Sequence, residues 1–289
     1  MPPLIEVLRE AEILLKEHGI DSARLDAELL LAHALGCKRS AIHLRRWEGI
    51  GVSEQSEFWE LILRRCLREP LQYIVGRTEF YGLDIMVGNG VIVPRHETEE
   101  LVEKIILRCK NRSIETILDL GTGSGAIGLA LAKNFPLANV LLVDESGEAL
   151  AVASKNLSAN SLYNVSLLRS NWLGNVRGSF DIITANPPYL SALELESASA
   201  EVRNFEPKSA LVADCDGLGD IFEIIGSVGK FLANGALLAL EIGSSQRGKI
   251  HDFAKKYFSC LEFENDLCGR TRFAFLQSPL DLGGYARNP

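Results

Sequence analysis

The sequence lacks long hydrophobic runs, closely paired cysteines and an excess of positive charge. No uninterrupted apolar stretch approaches the roughly 20 residues that a membrane-spanning helix needs. The first twenty residues interrupt their apolar positions with charges, unlike a secretion signal. We therefore expect a cytoplasmic protein without membrane contacts.

The six cysteines include no Cys-x-x-Cys pair, and none stands near paired histidines. Neither a zinc site nor a redox motif is indicated, so we expect reduced packing residues and no metal. Lys and Arg number 30 against 38 Asp and Glu, which gives a formal net charge of −8. This balance weakens the case for sequence-independent nucleic-acid binding, which depends on Lys and Arg displacing counterions. A local basic patch stays open.

Two domains are expected from the length and from a change of pattern along the chain. The 289 residues exceed the roughly 150 of an average domain, and 47% of them are hydrophobic. Residues 1–75 repeat apolar positions at helical spacing, and glycine-containing segments break them into several short helices. They predict a small helical bundle. Its basic residues form either a solvated face or a docking surface for a macromolecular substrate, and they are Lys38, Arg39, Arg45, Arg46, Arg64, Arg65 and Arg68.

The pattern changes after Pro70. Residues 76–95 contain extended segments around 80–83, 85–87 and 91–93, with turn residues at 88–90, and predict a β-hairpin linker. From residue 96 to residue 289, apolar strands alternate with helical stretches, which is typical of an α/β fold with an open, mostly parallel sheet. The predicted strands are 114–120, 139–144, 165–169, 180–185, 236–242, 260–263 and 272–276.

A glycine-rich segment follows the first of these strands. It reads Asp119-Leu120-Gly121-Thr122-Gly123-Ser124-Gly125-Ala126-Ile127-Gly128, and glycines between a strand and a helix let a ligand approach the backbone. The weak pattern G-x-G-x-x-G within it keeps a nicotinamide or flavin enzyme open. The second strand ends at Asp144, whose carboxylate could accept hydrogen bonds from the ribose of a dinucleotide or of S-adenosylmethionine (AdoMet). Asp119 would either orient a ligand ammonium through water or brace the turn.

The segment that separates these ligands is Asn186-Pro187-Pro188-Tyr189, directly after the strand 180–185. An open α/β sheet holds its ligands at this carboxyl edge. With the glycine loop and Asp144, the tetrapeptide resembles the AdoMet-dependent methyltransferases of amino groups. Further segments narrow the resemblance, over essentially the whole chain, to the glutamine methyltransferases of bacterial peptide chain release factors. They are 70–76 (PLQYIVG), 80–83 (FYGL), 93–99 (VPRHETE) and 201–207 (EVRNFEP), with Ala210 and Leu211.

This resemblance implies a Rossmann-like, seven-stranded AdoMet-dependent methyltransferase domain at 96–289. A helical substrate-recognition domain at 1–75 and a hairpin linker at 76–95 would precede it. The implied reaction is methylation of the N5 side-chain amide nitrogen of the glutamine in the Gly-Gly-Gln motif of class I release factors, which promotes translation termination. The cofactor would be AdoMet, with S-adenosylhomocysteine as product. The partners would be release factors, bound by a monomer that does not bind nucleic acid directly.

The expected site residues follow from the same match. The catalytic residues would be Asn186, Pro187, Pro188 and Tyr189, and the cofactor-binding residues would be Gly121, Thr122, Gly123, Ser124, Gly125, Asp144, Asn171, Trp172 and Asn186. Two positions depart from the family pattern: His96 stands where a second proline is usual, and Asn171 where an aspartate is common. An asparagine can still accept the adenine amino hydrogen. Glu206 matches the family, but the residues themselves indicate no role for it.

The chemistry of the tetrapeptide agrees with this interpretation. A carboxamide nitrogen is a poor nucleophile because its lone pair is delocalised into the carbonyl. If the Asn186 side-chain oxygen and the Pro187 carbonyl accept its N–H bonds, they orient the nitrogen, and such positioning can be worth roughly 7–11 kcal/mol. Pro187 restricts Asn186 to extended geometry, and Tyr189 offers a ring face to the planar amide. The alternatives are a nucleic-acid amine methyltransferase, a dinucleotide oxidoreductase and a catalytically silent AdoMet-binding adaptor.

Overall fold

The computed structural model describes residues 1–280, so the end of the predicted second domain, 281–289, lies outside the described residues. The chain divides into two compact units. The first comprises Met1–Arg77 and Ser199–Phe205, and the second comprises Thr78–Ala198 and the described chain from Glu206 to residue 280. The hairpin therefore belongs almost wholly to the second unit. The sequence patterns gave no indication that residues 199–205 belong to the first.

The described residues contain thirteen α-helices, two short 3-10 helices and nine strands. The α-helices are α1 (Leu4–Glu17), α2 (Ala23–Ala34), α3 (Arg39–Leu44), α4 (Val52–Cys66), α5 (Leu71–Val75), α6 (His96–Cys109), α7 (Ala126–Asn134), α8 (Gly147–Ala159), α9 (Ala192–Glu196), α10 (Ala200–Phe205), α11 (Asp214–Gly217), α12 (Gly219–Ser227) and α13 (Arg247–Ala254). The 3-10 helices are Lys208–Ala210 and Val228–Phe231. The strands are β1 (Arg77–Phe80), β2 (Leu83–Met86), β3 (Thr116–Leu120), β4 (Asn139–Asp144), β5 (Val165–Arg169), β6 (Phe180–Ala185), β7 (Leu232–Glu241), β8 (Phe258–Asn265) and β9 (Thr271–Pro279). Among the described residues, no helix has both the length and the apolar character of a membrane span.

The first unit is the helical bundle that the apolar spacing predicts. On α1, the residues at positions i, i+3, i+7 and i+11 share one buried face, which is the helical period. They are Leu4, Val7, Ala11 and Leu15. These side chains join a core built from the other helices, with Phe58 of α4 fully buried in it. The bundle therefore has an apolar core of its own.

Two arginines of this unit, Arg65 and Arg68, form internal ion pairs. Arg65 is buried, and its Nε donates to Asp26 Oδ2 (2.7 Å) while its Nη1 donates to Glu201 Oε1 (3.0 Å). Arg68 Nη2 donates to the other oxygen of Glu201 (2.8 Å). The expectation of a solvated face or a docking surface is therefore wrong for Arg65. Because Glu201 lies on α10, these pairs hold Ser199–Phe205 against the bundle.

The second unit contains a seven-stranded sheet in the order β5-β4-β3-β6-β7-β9-β8. The first five strands in this order run parallel, and β9 is antiparallel to both of its neighbours. The chain runs outward from β3 through β4 and β5, and then returns to β6 on the other side of β3. Such a switch point opens a crevice at the carboxyl ends of the strands, where open α/β sheets bind ligands.

The sequence located most of the sheet. The strands predicted at 139–144, 165–169 and 180–185 have those bounds in the structure, because each is a short apolar run between turn residues. The hairpin differs from its prediction. Its turn is Tyr81-Gly82, with φ of +48° and +69°, and residues 88–93 form no strand within the described chain.

Candidate active site

The glycine loop begins where β3 ends, at the switch point. Gly121, Gly123 and Gly125 have φ of +65°, +56° and +86°, a backbone conformation that favours glycine. A Cβ at Gly121 would lie 3.1 Å from Cζ3 of Trp172, whereas a Cβ at Gly123 would meet no described atom within 4 Å. No described side chain covers the backbone at Gly123, and this backbone borders a cavity.

Asp119 supports this loop from the buried end of β3. Its Oδ2 accepts hydrogen bonds from Thr122 Oγ1 (2.5 Å) and from the backbone N–H of Gly128 (3.0 Å). Its Oδ1 is buried, and no described residue donates to it. Burial raises the pKa of Asp119 to about 7, although the two hydrogen bonds favour the ionised form. These contacts show the bracing role, one of the two expected for this residue.

Asp144 ends β4 and joins the glycine loop to the next helix. Its Oδ2 accepts from the backbone N–H of Gly123 (2.9 Å), and its Oδ1 accepts from the backbone N–H of Ser146 (2.9 Å). A carboxylate offers about four acceptor positions, so each oxygen can still accept a hydroxyl from a ligand. The backbone bonds fix the carboxylate at the edge of the cavity.

A cavity of about 350 Å³ brings most of the expected site residues together. The expected residues on its wall are Gly121, Gly123, Asp144, Asn171, Trp172, Asn186 and Pro188. The other expected residues, Thr122, Ser124, Gly125, Pro187 and Tyr189, are not part of this wall in the described structure. Three of them hold the loop from behind. Thr122 donates to Asp119, the Ser124 carbonyl accepts from Asn156 Nδ2, and Gly125 packs on Leu129 and Ala153.

Further cavity walls come from residues that sequence reasoning missed. They are Gly90, Val91, Ile92, Glu145, Ser146, Glu148, Ala149, Ser170, Pro207, Ser209, Ala210, Asp220 and Glu223. Two segments that carry the family resemblance were the available signal, because 93–99 adjoins the stretch 90–92 and 201–207 ends at Pro207. Asp220 and Glu223 lie on α12 and carry no sequence signal of a site.

Trp172 forms one wall of the cavity with the help of an acidic partner. Its φ is +39°, and its Nε1 donates to Asp220 Oδ1 (3.2 Å). Burial raises the pKa of Asp220, against the effect of this hydrogen bond. The ring also explains the glycine at position 121, because a side chain there would crowd it.

Asn186 follows β6 and belongs to a chain of hydrogen bonds that runs into the interior. Its Nδ2 donates to Thr98 Oγ1 (3.2 Å), and Thr98 Oγ1 donates to Glu241 Oε2 (2.7 Å). The Tyr189 hydroxyl donates to Glu241 Oε1 (3.3 Å). Thr98 lies in the first turn of α6, Glu241 ends β7, and both are buried. Burial raises the pKa of Glu241 and of Tyr189.

An ion pair joins two stretches of the cavity wall. Arg95 Nη2 donates to both carboxylate oxygens of Glu206 (2.6 and 2.7 Å), and Glu206 Oε1 also accepts from the Val93 backbone N–H (3.4 Å). Glu206 is buried, and burial raises its pKa against the effect of Arg95. The pair ties the segment after Ile92 to the segment before Pro207. Glu206, for which the sequence indicated no role, thus links these two segments through Arg95 and Val93.

The residues of this cavity fit AdoMet. The bare backbone at Gly123 gives a ligand close access, and Asp144 keeps acceptor positions for ribose hydroxyls. The acidic side chains on the wall suit a ligand that carries positive charge at a sulfonium and an ammonium. The volume lies in the range of about 300–1,000 Å³ that small-molecule sites occupy.

Comparisons with known proteins show which family this chain resembles. Residues 6–76 match the model of the PrmC N-terminal domain, and residues 97–205 match the methyltransferase small domain. The release factor glutamine methyltransferase of Buchnera aphidicola subsp. Schizaphis graminum is 38% identical over 89% of this chain and 93% of the relative. That of Geobacter sulfurreducens is 39% identical over 80% of this chain and 81% of the relative. The chain belongs to the release factor glutamine methyltransferase family.

Solved structures share the fold of this release factor glutamine methyltransferase family member. Ribosomal protein L11 methylase from Lactobacillus delbrueckii subsp. bulgaricus aligns with a TM-score of 0.50 and 24% identity over 67% of this chain and 84% of that chain. The 16S rRNA N2 G1207 methyltransferase of T. thermophilus aligns with a TM-score of 0.52 and 18% identity, over 70% and 49%. These likenesses confirm the predicted Rossmann-like fold. Membership in the family confirms a methyltransferase with AdoMet as cofactor, and excludes the dinucleotide oxidoreductase.

Proposed function

We propose that this chain methylates the N5 side-chain amide nitrogen of the glutamine in the Gly-Gly-Gln motif of class I peptide chain release factors. The observation that carries the proposal is the placement of Asn186 on the cavity wall with its amide nitrogen bonded to Thr98. This bond leaves the side-chain oxygen of Asn186 to accept an N–H from a ligand. Release factor glutamine methyltransferases at 38% and 39% identity support the substrate class.

Two acceptors orient the substrate amide in this proposal. The Asn186 side-chain oxygen and the Pro187 backbone carbonyl each accept one N–H of the glutamine amide. They hold the nitrogen with its lone pair toward the methyl donor and weaken its conjugation with the carbonyl. Tyr189 lies outside the cavity wall, and its hydroxyl, anchored on Glu241, supports the tetrapeptide. The surplus proton leaves to solvent after transfer, so no strong base is needed.

The cofactor is held by the loops that follow β3, β4 and β5. Gly121 and Gly123 would bring the backbone close to the cofactor, Asp144 would accept from its ribose hydroxyls, and Asn171 and Trp172 would hold its adenine. When bound, AdoMet supplies a methyl group on a sulfonium, whose carbon–sulfur bond breaks as the carbon–nitrogen bond forms while sulfur keeps the electron pair. Thr122, Ser124 and Gly125 lie outside the cavity wall and stabilise the conformation of the glycine loop.

The remaining elements of the proposal concern the setting of the reaction. The enzyme acts in the cytoplasm, where release factors work, and it acts as a monomer. The helical unit recognises the release factor, and the formal charge of −8 disfavours direct binding to nucleic acid. Light scattering with and without a release factor measures the stoichiometry.

Single-turnover transfer from methyl-labelled AdoMet tests the proposed function. The acceptors are a purified class I release factor, its variant with the Gly-Gly-Gln glutamine replaced by alanine, and an adenine-containing oligonucleotide. We expect label on the intact release factor alone, at one glutamine by mass spectrometry. Equal incorporation into the alanine variant would refute the glutamine assignment, and label on the oligonucleotide alone would favour a nucleic-acid amine methyltransferase.

A further inference from the structure

The hydrogen-bond chain behind Asn186 runs from its amide nitrogen through Thr98 to Glu241. Each oxygen of an ionised Glu241 only accepts hydrogen bonds. Thr98 therefore donates its hydroxyl proton to Glu241 Oε2, at an oxygen–oxygen distance of 2.7 Å. Thr98 Oγ1 then faces Asn186 with a lone pair, and only the amide nitrogen of Asn186 can complete the contact at 3.2 Å.

The same direction holds if Glu241 carries a proton on its other oxygen. The Tyr189 hydroxyl contacts Oε1 at 3.3 Å, so a proton on Oε1 could be shared with Tyr189. Oε2 would still accept from Thr98. In both states the acceptor lone pair of Thr98 meets the amide nitrogen of Asn186. The side-chain oxygen of Asn186 is then the atom available to a ligand.

We propose that Thr98, anchored on Glu241, is a positioning residue that fixes the amide of Asn186 with its oxygen available to the substrate N–H. This inference rests on the proposed function for its catalytic consequence. An asparagine without such an anchor can rotate its amide by half a turn and present an NH₂ group, which cannot accept an N–H. Thr98 therefore makes the site selective for a nitrogen that carries hydrogen, such as a carboxamide, over an acceptor-only group.

The placement of the three residues in the fold agrees with a positioning role. Asn186 directly follows β6 and Glu241 ends the neighbouring parallel strand β7, at the edge where Ala185 pairs with Leu240. Thr98 comes from α6 and is 4% exposed. Because helix and strands are rigid elements, the contact is preorganised rather than formed on binding.

Threonine-to-valine substitution tests the proposal, because it removes the hydroxyl and keeps the branched shape. Thr98→Ser is the conservative variant that retains the hydroxyl. Thr184→Val is a matched control, since Thr184 is a buried threonine of β6 whose hydroxyl has no partner among the described residues. If Thr98→Val does not fold, Thr98→Ala is compared with Thr98→Ser in its place.

The kinetic measurement uses methylation of a release factor under saturating AdoMet. We expect Thr98→Val to lower kcat about tenfold, with KM for the release factor and Kd for AdoMet within twofold of the wild type. Tenfold corresponds to about 1.4 kcal/mol, the worth of one ordinary hydrogen bond. Thr98→Ser restores kcat to within about threefold, and Thr184→Val leaves it unchanged. A kcat for folded Thr98→Val within twofold of the wild type would overturn the proposal.

A second measurement needs no substrate. Proton–nitrogen spectra of the free protein, with the Asn186 side chain assigned from the Asn186→Ala variant, report hydrogen exchange of its NH₂ group. We expect exchange to become faster in Thr98→Val and to stay slow in Thr98→Ser and Thr184→Val. Equal exchange in Thr98→Val and wild type would contradict the anchor. If the wild type failed to methylate release factors, the proposed function would fail while this measurement still decided the question for Thr98.

Discussion

Asn186 shows how far local sequence determines a functional side chain. The proline after it restricts its backbone to extended conformations, and its place after an apolar strand puts it at the ligand edge of the sheet. Both features could be predicted. The orientation of its amide depends on Thr98, 88 positions away in the chain, and on Glu241, which no local pattern connects to it.

Removal of the Asn186 side chain should stop turnover without releasing the cofactor. We expect Asn186→Ala to lower the single-turnover rate by about 10²-fold or more, as the loss of a preorganised hydrogen-bonding group does in other active sites. Calorimetric titration should give a Kd for AdoMet within a few-fold of the wild type, since Asp144 and the glycine loop stay intact. Loss of AdoMet binding with retained folding would count against a role on the acceptor side.

Burial raises the pKa of the Asp119 carboxyl from its ordinary value of 3.8 to about 7. Between about pH 4 and pH 7 the folded protein holds a proton that the unfolded chain releases, so the contribution of Asp119 to stability decreases as the pH rises through this window. In Asp119→Asn, the amide oxygen can accept from Thr122 and Gly128, and no charge forms.

Between pH 5 and pH 7, we therefore expect the free energy of unfolding of the wild type to fall by about 2 kcal/mol relative to that of Asp119→Asn. Urea denaturation at both pH values measures this difference. If the two proteins show the same change with pH, Asp119 does not titrate in this window.

At the scale of elements, the loops after β3, β4 and β6 could be placed from the sequence, because each follows an apolar strand in an α/β alternation. The hairpin turn could not. Glycines occur both at position 82 and at 88–90, and only the structure shows that Tyr81 and Gly82 adopt the turn conformation. The walls formed by 90–92 and 207–210 were also missed, since they are loops that Arg95 and Glu206 bring to the cavity.

The ion pair of Arg95 and Glu206 should support cofactor binding through these loops. Arg95→Met leaves the buried carboxylate of Glu206 without its partner, and breaking a buried pair costs roughly 3–5 kcal/mol. Because Arg95 is partly exposed, we expect about half of that loss in chemical denaturation, together with a higher Kd for AdoMet. An unchanged Kd and an unchanged denaturation midpoint would show that the pair does not hold the wall.

Glu201 should stabilise the helical unit, because it bonds both Arg65 and Arg68. We expect Glu201→Gln to lower the free energy of unfolding by about 1 kcal/mol, since charge-assisted hydrogen bonds are replaced by neutral ones at a partly buried site. Glu60→Gln, on the exposed face of α4, is the control and should change nothing measurable. Equal stability of the two variants would contradict the assignment of residues 199–205 to this bundle.

At the scale of the whole molecule, composition and hydrophobic periodicity predicted a helical bundle followed by an α/β unit, because each unit buries its own apolar core. The resemblance carried by short motifs predicted the family. The return of residues 199–205 to the first unit was not predictable, since it depends on ion pairs between residues more than 130 positions apart. Periodicity reports local structure, whereas such pairs form only in the folded chain.

In the proposed reaction, Asn186 and Pro187 accept the two N–H bonds of a substrate carboxamide. A crystal structure of the chain with S-adenosylhomocysteine and a release-factor domain that carries the Gly-Gly-Gln loop tests it most directly. We predict the glutamine amide nitrogen within roughly 3.2 Å of both the Asn186 side-chain oxygen and the Pro187 carbonyl. A glutamine amide bound elsewhere in the cavity, or an Asn186 that presents its NH₂ group to the substrate, would contradict the account.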